Sequence, residues 1–342
     1  MADKKIYYTI CPVANATYIA ANHGFLKEEL AKIGYDPIKL QTLDQKEWSA
    51  HFTFHNDRLF REGGNIPPLW TKSNGTGVVL LAVNLIDAYQ PILVREDSDI
   101  NSVADLKGKK VAVPVHTGVH IDFHKATTEH GFESALELNG ISKDEVEWVE
   151  VINDEGYHSD KGLPGTKSIA SSEIKALASG EIDAIFAKED DIRKVEPGLK
   201  VKVIYDVWKQ SGYVPPVNNI YPNVLTVSEK LAKEEPEVVI AFLKATIIAA
   251  RWAKDHKDEA EQLLAEQTYS TVEEYRATHP ADFYTRLEPN LDPEALDALQ
   301  IQSDFLLDHG YLAKPVNVSE WVDSSFLTKA ISELDIENKQ AV

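Results

Sequence analysis

Three groups of residues in this sequence carry more than packing chemistry. The only cysteine, Cys11, lies in the stretch YYTICPVANATYIAANHGF, residues 7–25. Tyr7-Tyr8-Thr9-Ile10 reads as a strand, and residues 14–23 read as a helix stopped at Gly24. Pro12 suits a first helical turn, where a missing N–H costs nothing. The thiol is then expected at the mouth of a strand–turn–helix, near the positive end of the helix dipole, where cysteine ionises most readily. The plainer use of a lone cysteine is as a small buried hydrophobe. The second group is Phe60-Arg61-Glu62-Gly63-Gly64-Asn65-Ile66-Pro67-Pro68-Leu69. Paired glycines followed by paired prolines predict a rigid, tightly turned loop whose backbone N–H groups can approach a ligand closely. Arg61 stands at its start; taken alone, an arginine in a loop is a solvated charge. The third group is the histidines. If residues 48–55 are extended, alternation puts His51, Thr53 and His55 on one side. His116, His120 and His124 recur four apart, a spacing that can hold zinc, but no carboxylate completes an HExxH-type signature. No metal site is therefore expected.

These residues need a frame. Residues 37–40 read as a second strand, spaced from the first as in a βαβ unit. The continuous apolar run 78–83 suits a parallel strand buried on both faces. Further strands are expected at 91–95, 182–186, 201–205 and 223–227, and residues 103–113 read as a short helix, a glycine-containing turn and a strand that opens a second α/β unit. Residues 172–179 read as a helix, and 236–255 as a long amphipathic one with Val238, Val239, Phe242, Leu243, Thr246 and Ile247 on its apolar face. Helices follow near 294–309 and 320–334, and the polar tail from Asp335 is expected to fray. Strands alternating with helices argue for an α/β fold with largely parallel sheets. The chain crosses near 91–95 and returns near 223–227. That order predicts two lobes, 1–92 with 222–342 and 93–221, with a ligand cleft between them. Cys11, at the carboxyl end of the first strand, would face that cleft.

Composition bounds the function. The chain has 342 residues, enough for a sizeable core in two lobes, and a net charge of −20. Such an acidic balance argues against nucleic acid or an anionic membrane as partner, yet leaves room for a small anion in a local positive pocket. One cysteine excludes an internal disulfide and a cysteine-based structural zinc. The start, MADKKIYYTI, shows no secretory pattern and no apolar run reaches membrane-spanning length, so with this as the native start a cytoplasmic protein is expected; a monomer is expected as its assembly state.

Several phrases together resemble a known fold. VADLKGKKVAVP, SGEIDAIF and the two-lobe order look like the type II periplasmic-binding-protein fold, in the branch that binds sulfonates, nitrate and thiamine precursors. Within it, residues 8–16 (YTICPVANA), 51–54 (HFTF) and 61–68 (REGGNIPP) closely resemble the 2′-hydroxybiphenyl-2-sulfinate desulfinases, aryl-sulfinate hydrolases of the biodesulfurisation pathway. The likeness continues through residues 251–256, 282–287, 305–307 and 320–321; the second lobe matches in general pattern only.

The resemblance implies roles. The family's nucleophilic cysteine falls on Cys11, its histidine on His51, its sulfinate-binding arginine on Arg61 and its sulfinate-contacting glycine on Gly64. Gly63 would add a second N–H donor. The implied activity is hydrolysis of a C–S bond in a small anionic organosulfur substrate, releasing sulfite, with no metal or organic cofactor. Phe52 and Trp70, with Tyr18, Phe54 and Phe132, are candidates for an aromatic wall, although such residues are more commonly core. The segment from Val115 to His120 is expected to turn toward the ligand, bringing His116, Thr117 and Gly118 to it. Lys188-Glu189-Asp190-Asp191 is charged where the aryl desulfinases are apolar; it is either a solvated turn or the mark of a more polar substrate. The rival expectation is a solute-binding protein of an ABC importer for sulfonates or related anions. The thiamine-pyrimidine synthase branch carries a cysteine-rich motif that a chain with one cysteine lacks.

Overall fold

The aromatic and β-branched residues at the N-terminus form the first strand as expected, and the site is built outward from it. The structure, a computed structural model, describes residues 4–84, 89–153, 170–207 and 217–340. The chain divides into two units, Met1–Asp87 with Asn219–Val342, and Ala88–Asn218.

The first unit holds a five-stranded sheet. Its strands are β1 (Lys4–Ile10), β2 (Tyr35–Lys39), β3 (Leu59–Gly63), β4 (Val78–Asn84) and, after the second unit, a returning strand at Asn223–Ser228. The spatial order is β2-β1-β3, then the returning strand, then β4. β1 pairs in parallel with β2 and β3, while the returning strand runs antiparallel to both β3 and β4. The sheet is therefore mixed, not largely parallel. The apolar run expected as a parallel strand is an antiparallel edge strand. Its continuous burial has another cause: the outer edge of β4 is covered by bridges from Leu80 to Val322 and from Val83 to Asn290, and by the Trp321 indole N–H donating to the Val78 carbonyl at 2.9 Å. The long helix Pro236–Asp255 lies where its periodicity put it and buries Val238, Val239, Phe242, Leu243, Thr246 and Ile247. Its Phe242 ring stacks on Phe60 of β3 at 4.0 Å, tying the helix to the strand that carries Arg61.

The second unit has its own sheet. In chain order its strands are β5 (Pro91–Arg95), β6 (Lys110–His116), β7 (Glu147–Asn153), β8 (Ala184–Phe186) and β9 (Val201–Asp206). They lie in the order β7-β6-β8-β5-β9. The returning strand Asn223–Ser228 of the first unit is β10. Here too parallel pairs, β6 with β7 and β8, meet antiparallel ones, β5 with β8 and β9. The helix Phe123–Leu138 packs Phe132, Ala135 and Leu136 into the core with Ile92, Val94 and Val111. Phe132 is thus core, not ligand wall.

Three local expectations change. Residues 48–55 are not extended: Ala50–Thr53 is a helical turn ended by Phe54 in the left-handed region, φ 50. Residues 60–63 are strand and Ile66–Ser73 is a helix with proline in its first turn, so the segment expected as one tight loop reduces to Gly64 and Asn65. The C-terminal helix runs from Ser324 to Gln340, because Phe326, Leu327, Ala330 and Leu334 hold it to the core; residues 341–342 of the expected frayed tail, like 1–3 of the N-terminal stretch, lie outside the described residues. No described helix is long and apolar enough to cross a membrane.

Candidate active site

Sheet register brings the first site residues together. Thr9 of β1 is opposite Arg61 of β3, so Thr9, Cys11, Arg61 and Gly63 share one face by strand alternation, while Ile10 and Glu62 point to the other. The Cys11 backbone N–H donates to the Glu62 carbonyl at 2.9 Å, continuing the ladder one residue beyond the strand. The thiol is consequently set against Gly63. A Cβ on Gly63 would lie 2.1 Å from Cys11 Sγ, and one on Gly64 would lie 2.5 Å from Asn219 Oδ1. Both glycines are required for this close approach.

The thiol is not at a helix mouth. The helix begins at Ala16, with Asn15 as its cap accepting from the Tyr18 N–H, and Pro12 lies outside it. Local charge replaces the dipole: Arg61 Nη2 donates toward Cys11 Sγ at 3.5 Å, and His51 Nε2 is 3.4 Å from the same sulfur. Arg61 itself is almost wholly buried, at 1% exposure. Its Nε donates to the His51 carbonyl at 3.0 Å and its Nη1 to the Gly64 carbonyl at 2.8 Å. Burial lowers its pKa and the Cys11 thiolate opposes that shift; among the described residues no carboxylate forms an ion pair with it. The guanidinium thus faces a sulfur, an imidazole nitrogen at 3.4 Å and two neutral carbonyls, and its charge is met by no described carboxylate.

His51 completes the group. Burial, and then Arg61, hold its pKa well below the ordinary histidine range, so the ring is neutral near pH 7. Gln41 Nε2 donates to Thr9 Oγ1 at 2.8 Å, and Thr9 Oγ1 is 2.8 Å from His51 Nδ1. Arg61 Nη2, a donor only, lies 3.4 Å from His51 Nε2, which favours the tautomer with the proton on Nδ1 toward Thr9 Oγ1 and Nε2 as the acceptor beside the thiol. The Phe52 ring meets the His51 ring edge-on at 4.8 Å and is buried, so it backs the imidazole. Trp70 lies partly buried on the following helix.

The other expected ligand residues belong to the second unit. His116 ends β6, buried, with its backbone N–H donating to Asp122 Oδ2 at 2.7 Å and its Nδ1 at 3.0 Å from Asp122 Oδ1. Thr117 and Gly118 follow in an exposed turn. His120 precedes the helix Phe123–Leu138 that carries His124, so the four-residue spacing does not place these two on one helix. Lys188 caps the helix Glu189–Val195, which makes the charged run a helix start.

Sequence reasoning missed four residues. Thr9 was legible in principle, two residues before Cys11 on the same strand face. Gln41 and Gln267 were not. Gln267 Nε2 donates to the Cys11 carbonyl at 2.9 Å and its Oε1 accepts from the Asn15 N–H at 3.3 Å, across 256 and 252 residues of sequence. Glu62 carries a buried carboxyl on the reverse face of β3. Burial pushes its pKa up to about 7, and the side-chain amides of Asn84 and Asn223 donate to its Oε1.

A sheet of this order with an anion-seeking group at its strand ends defines a class before it defines a reaction. A family model described as NMT1/THI5 like matches residues 68–159 and 167–260, and the chain belongs to that family. Among individual proteins, it is similar to 2′-hydroxybiphenyl-2-sulfinate desulfinase of Rhodococcus erythropolis, with 27% identity over 95% of this chain and 93% of that one. Among solved structures, a cysteine-to-serine variant of DszB in complex with biphenyl-2-sulfinic acid superposes with a TM-score of 0.77 at 24% identity, over 97% of this chain and 99% of that one. The periplasmic aliphatic sulphonate binding protein SsuA of Escherichia coli has a TM-score of 0.65 at 16% identity, over 93% and 97%. The expected α/β fold class, shared by desulfinase and binding protein, is the one found.

Proposed function

We propose that this protein is a sulfinate desulfinase, a C–S bond hydrolase that releases sulfite and depends on Cys11. The observation that carries the reading is the Arg61 guanidinium, buried with no carboxylate ion-paired to it among the described residues and 3.5 Å from the Cys11 sulfur. A sulfinate supplies the missing charge, and its two oxygens suit the guanidinium fork. The similarity to a desulfinase over almost the whole chain supports the same reading.

The roles follow from the site. Arg61 binds the sulfinate, with backbone N–H groups at Gly63–Gly64 as neutral donors beside it. Neutral His51 presents Nε2 to the sulfur of Cys11 and shares the thiol proton. Two balanced routes use these atoms. In one, the Cys11 thiol gives its proton to the carbon bearing sulfur, the C–S bond breaks, and the departing SO2 takes up water as sulfite. In the other, the thiolate attacks the sulfinate sulfur, the carbon leaves and takes a proton, and water hydrolyses the Cys11 thiosulfonate to sulfite and thiol. Both convert one sulfinate and one water into desulfinated product and sulfite.

The test is sulfite release from 2′-hydroxybiphenyl-2-sulfinate and a panel of smaller aryl and alkyl sulfinates. Wild type should release sulfite, and Cys11→Ser should lose at least about a thousandfold in rate while keeping its fold by circular dichroism. Mass spectrometry of quenched protein separates the routes, since only the second leaves an adduct on Cys11. No sulfite from any sulfinate, with tight sulfonate binding that survives Cys11→Ser, would make the chain a solute-binding protein instead.

A further inference from the structure

Cys11 stands where regular structure stops, yet its sulfur has a fixed place. β1 ends at Ile10 and the next helix begins at Ala16, so residues 11–15 belong to neither strand nor helix. Backbone groups in such a connection must find partners elsewhere. Two partners lie within the segment: the Val13 N–H donates to the Cys11 carbonyl at 2.7 Å, and Asn15 Nδ2 donates to the Val13 carbonyl at 2.8 Å. Another comes from the far end of the chain. Gln267 Nε2 donates to the same Cys11 carbonyl at 2.9 Å, while its Oε1 accepts from the Asn15 N–H at 3.3 Å. A single amide thus clamps the first and the last residue of the segment that carries the thiol.

The clamp is anchored. Gln267 is 3% exposed and ends the helix Lys257–Gln267, whose Ala260, Leu264 and Ala265 are buried in the core of the first unit. A buried glutamine that uses both its donor and its acceptor has its orientation set by those bonds.

Its placement matters because of how a side chain is aimed. The Cα–Cβ direction follows from the peptide groups on either side. At Cys11 the preceding one is fixed by the N–H bond to the Glu62 carbonyl at 2.9 Å, and the following one by Gln267. The Val13 bond is local and turns with the segment, whereas the Gln267 bond refers the carbonyl to the core. The sulfur has little latitude: Arg61 Nη2 is at 3.5 Å, His51 Nε2 at 3.4 Å, and a Cβ on Gly63 would lie 2.1 Å from it.

We infer that Gln267 is a positioning residue for the reaction: it aims the Cys11 sulfur at Arg61 and His51 and acts on the chemistry through Cys11. The inference rests on the desulfinase reading only for what the placed thiol then does.

Two variants and two readouts test it. Because Cys11 is the only cysteine, alkylation by iodoacetamide reports on its sulfur alone, whatever the reaction. Gln267→Leu removes both bonds at similar volume. Its kcat for sulfite release should fall about thirtyfold with KM within about twofold, since the sulfinate clamp at Arg61 is intact. The pH profile of alkylation should move about one unit toward higher pH as the sulfur leaves the guanidinium. Gln267→Glu is the sharper variant. Its protonated carboxyl can donate to the Cys11 carbonyl and accept from the Asn15 N–H, as the amide does; its carboxylate cannot donate. From pH 5 to pH 9, its activity relative to wild type should start near parity and fall about tenfold as the new carboxyl loses its proton.

A residue that serves stability alone would lower the melting temperature and leave kcat and the alkylation profile where they are. That result overturns the inference, as does a loss confined to KM. Should Gln267→Leu fail to fold, Gln267→Glu decides by itself: a ratio to wild type that stays constant over that pH range overturns the inference. If the alkylation profile shifts but wild type releases no sulfite from any sulfinate, the desulfinase reading falls and the positioning of the thiol stands.

Discussion

Each unit buries a polar cluster built on histidine, His51 with Arg61 and Cys11 in the first and His116 with His124 in the second, and the clusters differ in how their charge is met. In the second unit His116 has Asp122 at 3.0 Å and His124 has Glu173 at 3.7 Å. Burial and the neighbouring His116 lower the His124 pKa to about 3, while burial raises that of Glu173 to about 7. The Asn153 side chain donates to the remaining Glu173 oxygen at 2.8 Å. Acid and base are thus supplied together, and both favour their neutral forms. In the first unit, Arg61 and His51 face a thiol, and among the described residues no acid forms an ion pair with them. The charge of the second unit's cluster is met within the protein; in the first unit the proposed sulfinate would meet it.

The sharpest way to break this contrast after Cys11 itself is at the buried acid behind the first cluster. The Glu62 carboxyl binds its proton more tightly in the folded protein, at about 7, than at its ordinary 4.5. Stability is therefore greatest below pH 4.5 for this group and falls as pH rises toward 7, by on the order of 3 kcal/mol. Glu62→Gln should remove that slope in urea unfolding at pH 5 and pH 7.5; an unchanged slope would mean that Glu62 is already ionised. A smaller effect is expected at Arg61→Lys, which keeps the charge and loses the fork. Sulfite release should fall about thirty- to a hundredfold, mainly through KM. Full activity in that variant would deny Arg61 its role as clamp. The least effect is expected from Glu173→Gln, which alters only the self-contained cluster. Sulfite release at pH 7.5 should stay within about twofold of wild type. A large loss there would show that the second cluster also serves the reaction.

Much of the frame was legible because its signals are local. Aromatic and β-branched residues marked β1, the helical period marked Pro236–Asp255, and Gly24 closed the first helix with φ 104. Cys11, His51 and Arg61 were singled out, but their surroundings were partly misread. His51 is in a four-residue helical turn too short to carry a period, and Phe54 ends it with a backbone that its residue type does not announce. Arg61 was taken for a loop residue because glycine and proline follow it so closely. The antiparallel return of β10 was hidden for a related reason: a buried apolar run has no alternation from which to read direction. Gln41 and Gln267 could not be found from sequence, since their value to the site depends on contacts made only after folding.

The register of the first sheet also dictates when the site can exist. β4 hydrogen-bonds in the ladder to β10 alone, and β10 is contributed by residues 223–228, after the whole second unit. The Cys11 carbonyl waits longer still, for Gln267. During synthesis the thiol is among the first residues to emerge, yet its strand can gather only β2 and β3 until more than two hundred further residues have been made. A ribosome-bound chain truncated before residue 223 therefore carries the cysteine without its finished setting, and a complete site is in itself a record that both ends of the chain have met.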